Sequence, residues 1–209
     1  MPPARNGRSN RCTMSGSRSP NHLSLLLGIL LGFLSVLHGA LGGPQEQRVQ
    51  IGLRLFRTLL AADRDLAEKV NAEGRLELAL IYQDDRTQAE QFAMALQESG
   101  HGSEQGKIRN FPIQITLTDV AHLKELRQRA PAAIYLVQPL PDPALEAVIR
   151  YGIDHQRIVF SPFAGQVEKG TLAGLAIEVR VMPYINETTL KQSGIRLNSL
   201  LLKVAKIHD

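Results

Sequence analysis

Apolar residues recur along residues 49–209 with two periods, one typical of helices and one typical of strands. Apolar residues that recur every three or four positions predict amphipathic helices over residues 49–67, 87–99, 120–126, 143–151 and 197–205. Continuous or alternating apolar runs predict strands over residues 76–82, 113–117, 132–137, 157–161, 172–179 and 181–185. The first three strands are each followed by a helix, and such units build a mostly parallel sheet with helices on both faces. The pattern therefore predicts a three-layer α/β/α domain with a late hairpin and a C-terminal helix.

The best-defined part of this pattern is the unit at residues 132–151. Residues 132–137 (AAIYLV) are apolar without interruption, which is typical of a strand covered on both faces, so we expect this strand at the centre of the sheet. Asp142 as N-cap, Pro143 at the first helical position and Gly152 just past the end bracket the helix that follows.

A basic leader and an apolar segment precede this domain. Residues 1–22 contain four arginines and no acidic residue, and residues 23–37 (LSLLLGILLGFLSVL) form an apolar run of the length of a signal-peptide core. Small residues follow the run and suit a cleavage site after Gly42. We therefore expect a signal peptide over residues 1–42 and an exported domain over residues 43–209.

Two alternatives for the leader stay open. A membrane anchor needs about 20 apolar residues, whereas this run breaks at His38, so cleavage is favoured over a retained anchor. Met14 is a second candidate for the start of translation. The only cysteine, Cys12, precedes the apolar run and so cannot be the lipid-modified residue of a lipoprotein. After cleavage we expect no membrane insertion.

Removal of the leader changes the charge of the protein. The chain contains 24 Lys and Arg against 20 Asp and Glu, a formal net charge of +4. The leader holds four of these arginines and no acid, so the domain is neutral and lacks the basic footprint of a nucleic-acid-binding protein. Because the domain has no cysteine, it can form neither a disulfide nor a thiolate metal site.

The motifs of common enzyme classes are missing from the domain. Gly100, Gly102 and Gly106 follow no strand and precede no Lys-Ser/Thr pair, so they do not form a phosphate-binding loop. Ser161 follows a strand, but its context FSPF lacks the GxSxG of a nucleophile elbow. The histidines are scattered singly, without the i, i+4 pairs of metal sites. We therefore expect a protein that is not an enzyme and that needs no metal or cofactor.

Polar residues at the ends of the predicted parallel strands form the candidate ligand site. Asp84, Asp85 and Arg86 follow the first strand, and open α/β sheets bind ligands at this carboxyl edge. The ends of this strand and of its neighbours complete the candidate pocket with Tyr82, Gln138 and Ser161. Adjacent carboxylates at such a position also cap the next helix, and capping is the favoured role of the acidic pair.

The C-terminal third carries a series of motifs. They are a glycine before an apolar hairpin, an Ile-Asn pair at its end, a Gly-Ile-Arg-Leu turn and a Leu-Leu-x-x-Ala helix, at Gly170, Ile185, Asn186, Gly194 and Leu201. Together with the order of elements from residue 50 onward, these motifs resemble the YfiR-like family of bacterial periplasmic proteins. The chain departs from the family in three ways. It has no tryptophan, it has Thr171 where the family often has a second glycine, and it cannot form the family's disulfides.

The resemblance implies a function and a partner. It implies a periplasmic regulator in cyclic-di-GMP signalling that restrains an inner-membrane diguanylate cyclase or a similar sensor through protein–protein contact, often as a homodimer. The motif residues look structural, with Asn186 and Gly194 shaping the turn into the last helix. The alternative is a small-solute-binding sensor or a transport accessory protein. A regulator should expose a contiguous apolar patch, whereas a solute binder should have a concave, polar-lined pocket.

Overall fold

The structure is a computed structural model that describes residues 44–209, and the predicted signal peptide lies outside them. The α-helices of this part are α1 Pro44–Ala62, α2 Arg86–Glu98, α3 Leu126–Arg129, α4 Asp142–Asp154, α5 Glu187–Ser193 and α6 Ser199–Val204. Its strands are β1 Leu76–Tyr82, β2 Lys107–Ile108, β3 Phe111–Asp119, β4 Ala133–Leu136, β5 Ile158–Ser161, β6 Ala173–Ile177, β7 Val181–Asn186 and β8 Lys206–His208. Short 3₁₀ helices lie between them at Leu66–Lys69, Gly102–Glu104 and Val120–Glu125.

The strands form one sheet in the order β2-β3-β1-β4-β5-β6-β7-β8. The five strands from β3 to β6 in this order run parallel to one another. Strands β2 and β7 run antiparallel to β3 and β6, and β8 lies parallel to β7 at the edge. The mostly parallel sheet and the late hairpin are therefore confirmed.

Helices cover both faces of this sheet. The Tyr135 hydroxyl on β4 donates a hydrogen bond to the Val49 carbonyl oxygen at 2.7 Å, so α1 lies on the face to which Tyr135 points. On that face α1 contacts β5, β6 and β7, and α2 lies beside it. Helix α4 covers the opposite face. Its Gly152 lies against Val159, and Val159 and Phe160 are consecutive on β5, so their side chains point to opposite faces of the sheet. The three-layer α/β/α arrangement is confirmed.

An aromatic cluster holds α1 on the sheet. Phe56 of α1 packs against Tyr135 and Phe160 with ring centroids 5.3 and 5.8 Å away, and the two strand rings stack at 5.4 Å. Burial raises the pKa of the Tyr135 hydroxyl well above its usual value, so it remains a donor. The helix approaches this closely because residue 52 is glycine. A Cβ there would lie 2.5 Å from the Tyr135 hydroxyl oxygen and 3.0 Å from Pro162 Cβ.

We expect Gly52→Ala to destabilise the domain by about 1–3 kcal/mol, the usual cost of overpacking a core. A gain in helix propensity of about 1 kcal/mol partly offsets the clash with the Tyr135 hydroxyl and is included in this range. In a Tyr135→Phe background the hydroxyl is gone, so the same substitution should cost less. Urea denaturation of the four proteins measures the difference, and equal costs in both backgrounds would contradict this packing.

A buried ion pair follows the end of α1. Lys69 Nζ lies 2.5 Å from Asp63 Oδ2, and the two side chains are 6% and 1% exposed. Asp63 Oδ1 accepts a further hydrogen bond from the Asp65 amide at 3.0 Å. The main chain of Asp63 is bound as well, because its carbonyl oxygen accepts from Arg109 Nη1 and it bridges to Leu197 in antiparallel register. One residue therefore ties the end of α1 to the β2–β3 hairpin and to the C-terminal segment.

Removal of the cation from this pair should be costly, because the Asp63 carboxylate is then buried without its partner. We expect Lys69→Ala to lower the free energy of unfolding by about 3–5 kcal/mol. The exposed pair of Lys191 and Glu187 provides the control, since Lys191→Ala should cost less than about 1 kcal/mol. Chemical denaturation measures both values, and similar losses would show that burial does not set the cost.

The crossover between β3 and β4 is less helical than the sequence predicts. Asp119 caps it, accepting a hydrogen bond from the Ala121 amide at 2.8 Å. Val120–Glu125 is a 3₁₀ helix, however, and α3 adds only one α-helical turn. Ala130 ends that turn in the left-handed conformation with a φ of 46°, immediately before Pro131. The connection from β3 to β4 is therefore mostly 3₁₀-helical and contains only one α-helical turn.

Helix α4 extends past its predicted end. Gly152 lies inside the helix, where a Cβ would come within 2.5 Å of Val159 Cγ2, so the glycine serves close packing on β5. Asp142, predicted as the N-cap, is the first residue of the helix and forms an ion pair with Lys169 at 2.6 Å.

The C-terminal helix is shorter than the one predicted over residues 197–205. Leu197 pairs with Asp63 in an antiparallel bridge, so α6 begins only at Ser199. After α6 the chain becomes extended and forms β8 along β7. Backbone pairing with distant segments overrides the helical spacing of the apolar side chains here.

The motif residues of the C-terminal third make internal contacts. Asn186 caps α5 by accepting a hydrogen bond from the Thr189 amide at 2.8 Å, and its Nδ2 donates to the Val167 carbonyl oxygen at 2.8 Å. The Gly170 carbonyl oxygen accepts from Thr189 Oγ1 at 2.9 Å, and Gly194 ends α5 with a φ of 67°. The two apolar motif residues are buried, namely Ile185 and Leu201. These contacts join the loop after β5 to α5.

Candidate functional site

The candidate site lies where the parallel strands end. Strand β3 lies on one side of β1 and β4 on the other, so the chain order reverses between β1 and β4. Open α/β sheets bind ligands in the crevice at such a switch point. Five predicted site residues lie at the ends of these two strands. Tyr82 is the last residue of β1, Asp84, Asp85 and Arg86 follow it, and Gln138 follows β4.

The side chain of Gln138 fills this crevice. Its Oε1 accepts hydrogen bonds from the backbone amides of Gln83, Asp84 and Asp85 at 2.8, 3.1 and 3.4 Å. Amide groups that converge on one oxygen form a nest of the kind that binds anions. The protein supplies the acceptor itself, so a side chain stands at the switch point where a ligand would otherwise bind.

Two of the three charged residues that follow β1 have partners as well. Asp85 caps α2, since its Oδ1 accepts a hydrogen bond from the Gln88 amide at 2.8 Å. Arg86 Nε donates to Glu90 Oε1 at 2.9 Å, and this contact raises the pKa of the guanidinium. Asp84 is exposed.

Two of the predicted site residues are buried. Tyr82 is 6% exposed, and Ser161 is fully buried. The Ser161 hydroxyl donates to Gln166 Oε1 at 2.5 Å and accepts from the Phe163 amide at 3.2 Å. Ser161 therefore organises the loop after β5, apart from the group around Gln138.

We expect Gln138→Ala to release the three amides, speeding their hydrogen exchange about tenfold and lowering stability by about 1–2 kcal/mol. Gln138→Glu retains an acceptor oxygen and should keep the exchange slow. Gln128→Ala, at an exposed position of α3, is the matched control. NMR exchange rates of residues 83–85 measure the effect, and unchanged rates in Gln138→Ala would show that this side chain does not hold the loop.

A second part of the carboxyl edge is a groove beside the β6–β7 hairpin. It has a volume of about 230 Å³ and lies between residues 163–168, the hairpin and β8, with Arg48 of α1 in its wall. We call it the hairpin groove. Its charged lining residues are of both signs, namely Arg48, Glu168, Glu178 and Lys206.

Lys206 and Tyr184 form the wall of the hairpin groove on the β7–β8 side. Lys206 Nζ lies 2.9 Å from Glu178 Oε1 and 5.1 Å from the centroid of the Tyr184 ring. The contact with Glu178 raises the pKa of Lys206. The Tyr184 hydroxyl lies 3.3 Å from His208 Nδ1, and burial, followed by the charge of Glu168, raises the pKa of that hydroxyl. The ammonium group of Lys206 thus joins the hairpin to β8.

The hairpin groove was not predicted from the sequence. Its charges come from α1, the loop after β5, the hairpin and β8, and no motif or spacing links these segments. The one local signal is the apolar hairpin itself, whose strands were predicted.

Exposed apolar side chains concentrate near the end of the chain. Seven large hydrophobic residues of the described part are at least 40% exposed, and six of them belong to the hairpin and the C-terminal segment. We call these six the C-terminal apolar surface: Ile177, Val179, Val181, Leu200, Val204 and Ile207. The seventh is Met94 on α2.

The sheet register places three of these side chains on one face. Ile185 pairs with Ala173 on one side and with Ile207 on the other. Ile177 lies four residues after Ala173 on β6, and Val181 lies four residues before Ile185 on β7. Because side chains alternate along a strand, all of them point to the same face. This is the face that carries α1. Tyr135 pairs with Phe160 of β5, and Phe160 pairs with Ala173, so these three side chains point to the same face.

Two further grooves lie on the helical layers. One of about 430 Å³ separates residues 123–127 from α4, where the Tyr151 hydroxyl donates to the Leu126 carbonyl oxygen at 3.0 Å. The other, of about 600 Å³, lies between α1 and the end of α2. Within residues 44–209, no group of three or more His, Cys, Asp and Glu side chains is placed to hold a metal ion. In the same part of the chain, no helix has the length and apolar character needed to cross a membrane.

Comparisons with known proteins give distant likenesses. No protein-family model matches the chain, and no curated protein matches it. Among solved structures, the chain is similar to a conserved domain protein from Vibrio cholerae, with 16% identity, a TM-score of 0.49, and coverage of 79% of this chain and 60% of that one. It is also similar to an ABC domain in complex with L-Trp from Streptococcus pneumonia, with 12% identity, a TM-score of 0.47, and coverage of 73% and 61%.

A third similar structure is the ligand-free, open form of a substrate binding protein with adhesive properties from Clostridium difficile. The identity is 14%, the TM-score is 0.45, and the match covers 70% of this chain and 60% of that one. The chain thus spans about three fifths of the length of each of these proteins. Likenesses at this distance do not bear on what the chain binds.

Proposed function

We propose that this protein is an exported binding and regulatory protein of the periplasm, which restrains an inner-membrane diguanylate cyclase or a similar sensor through protein–protein contact. A binding role is the broad part of the proposal, and control of cyclic-di-GMP synthesis is the specific part. The leader supports export, and the motifs of the C-terminal third support the regulatory role through their resemblance to YfiR-like proteins. The structural support is the C-terminal apolar surface.

The grouping of exposed apolar side chains supports a protein-binding role. Soluble domains rarely leave such residues together at the surface unless a partner covers them. Here they lie on the hairpin and the segment that follows it, and the register puts Ile177, Val181 and Ile207 on one face. Of the two functions weighed from the sequence, this feature favours the regulator.

The tip of the hairpin strengthens this argument. Turns are normally built from Gly, Asn, Asp, Ser or Pro, whereas residues 178–180 are Glu-Val-Arg. The turn is closed by the Glu178 amide, which donates to the Arg180 carbonyl oxygen at 3.2 Å. Val179 is fully exposed, so its apolar side chain contributes no burial to folding. Such a residue is suited to contact with a partner.

Val179→Asp tests the proposal, because it charges the apolar surface at a position where folding is not at stake. Deletion of the gene in the native organism should raise cellular cyclic-di-GMP, and the wild-type gene should restore it. We expect Val179→Asp to fail in this rescue and to bind the solubilised membrane partner about tenfold more weakly, a loss of about 1.4 kcal/mol. Mass spectrometry of proteins retained by the immobilised wild type identifies that partner.

Met94→Asp is the matched control, since Met94 is also an exposed apolar side chain but lies on α2. This variant should restore cyclic-di-GMP and retain the partner. Equal behaviour of the two variants would rule out the apolar surface as the contact. Unchanged cyclic-di-GMP in the deletion strain would rule out the regulatory role.

A further inference from the structure

The hairpin groove contains two opposite charges that do not pair with each other. Arg48 and Glu168 both line it, yet none of the ion pairs formed within residues 44–209 joins them, so their charged atoms lie more than 4.0 Å apart. Arg48 Nε donates to the Pro162 carbonyl oxygen at 3.2 Å, which fixes the guanidinium in the wall. The other cation of the groove, Lys206, is engaged by Glu178. A molecule with one anionic and one cationic end can bridge Arg48 and Glu168.

The apolar residues of the lining expose little surface. Phe163, Val167 and Leu175 are 8%, 2% and 5% exposed, so the charged side chains and Tyr184 dominate the groove. The volume of about 230 Å³ is below the range of about 300–1,000 Å³ that is usual for drug-sized ligands, so the occupant is smaller than these. The groove also lies at the carboxyl ends of β5 and β6, the edge at which open α/β sheets bind ligands.

We propose that the hairpin groove binds a small zwitterionic solute of the amino-acid class, with its carboxylate on Arg48 and its ammonium on Glu168. A guanidinium presents paired N–H donors that match the two oxygens of a carboxylate. The Glu168 carboxylate accepts hydrogen bonds from an ammonium in return.

This site gives the solute a route to the partner surface. The groove is lined in part by residues 175–178, which lead into the hairpin tip, and the pair of Glu178 and Lys206 holds that tip against β8. The charge of Glu168, after the contact with Glu178, also raises the pKa of Lys206, so an ammonium bound on Glu168 offsets this attraction and changes the hold on the hairpin that carries Val179. This coupling, unlike the binding itself, rests on the proposed function.

A thermal-shift screen of the standard amino acids, with the protein expressed from the full chain, is the first test. We expect small amino acids to raise the Tm, because a ligand that binds only the folded state stabilises it. The strongest ligand is then titrated by calorimetry beside its N-acetyl derivative, which lacks the ammonium, and its amide, which lacks the carboxylate. Each derivative should bind about tenfold more weakly than the parent.

Variants then assign each charge. Glu168→Gln should weaken binding of the amino acid about tenfold and leave binding of the N-acetyl derivative unchanged, since that derivative has no ammonium. Arg48→Gln should weaken the amino acid and leave the amide unchanged. Glu146→Gln, at an exposed position of α4, is the control and should bind as the wild type does. Because Glu168 is exposed, its variant tests the site even if Arg48→Gln disturbs folding.

Two results would overturn the inference: no amino acid raises the Tm, or Glu168→Gln binds the amino acid as tightly as the wild type. Partner binding measured without amino acid keeps this test separate from the proposed function. If the partner is retained while no amino acid binds, the groove inference fails and the regulator stands. If amino acids bind with the expected charge dependence while deletion leaves cyclic-di-GMP unchanged, the groove inference stands and the regulator fails.

Discussion

The close approach of α1 to the centre of the sheet positions much of what this domain presents to its surroundings. Because residue 52 has no side chain, the Tyr135 hydroxyl reaches the Val49 carbonyl oxygen, and the helix packs directly on β4 and β5. Near its start the same helix brings Arg48 to the hairpin groove, and its end leads into the buried ion pair of Asp63. One contact in the core thus sets the geometry at both ends of α1.

The apolar pattern was sufficient where burial alone decides the structure. The bounds of β1, Leu76–Tyr82, equal the predicted ones, because a fully covered strand needs only a continuous apolar run. At Leu197 the same pattern favours a helix, but pairing with Asp63 makes the chain extended. The role of Gln138 also needed the structure, since nothing local links this amide to main-chain groups 53 to 55 positions earlier. Its place among the candidate residues rested on strand order alone.

The two parts of the carboxyl edge have different characters. At the switch point the protein satisfies its own amides with Gln138, which fixes the loop after β1. Beside the hairpin it keeps Arg48 and Glu168 apart. In our proposal the binding site is therefore not the crevice that the fold favours but the hairpin groove, next to the exposed apolar residues. A solute and a protein that both engage the hairpin are coupled through it, and the coupling is equal in both directions.

The outer edge of the sheet adds a last constraint. Among the described residues, β8 pairs only with residues 184–186, so the earlier part of β7 has no neighbour on that side. The Asn186 amide donates towards β6, to the Leu172 carbonyl oxygen. Because main-chain groups alternate in direction along a strand, the nitrogen of residue 183 points away from β6, towards the open edge. Residue 183 is a proline, so this nitrogen has no hydrogen to donate. An open strand edge invites another chain to extend the sheet, but a missing donor makes it a poor template. The molecule can therefore display an apolar hairpin on an edge that is a poor template for a further strand, which favours recognition through side chains over main-chain pairing.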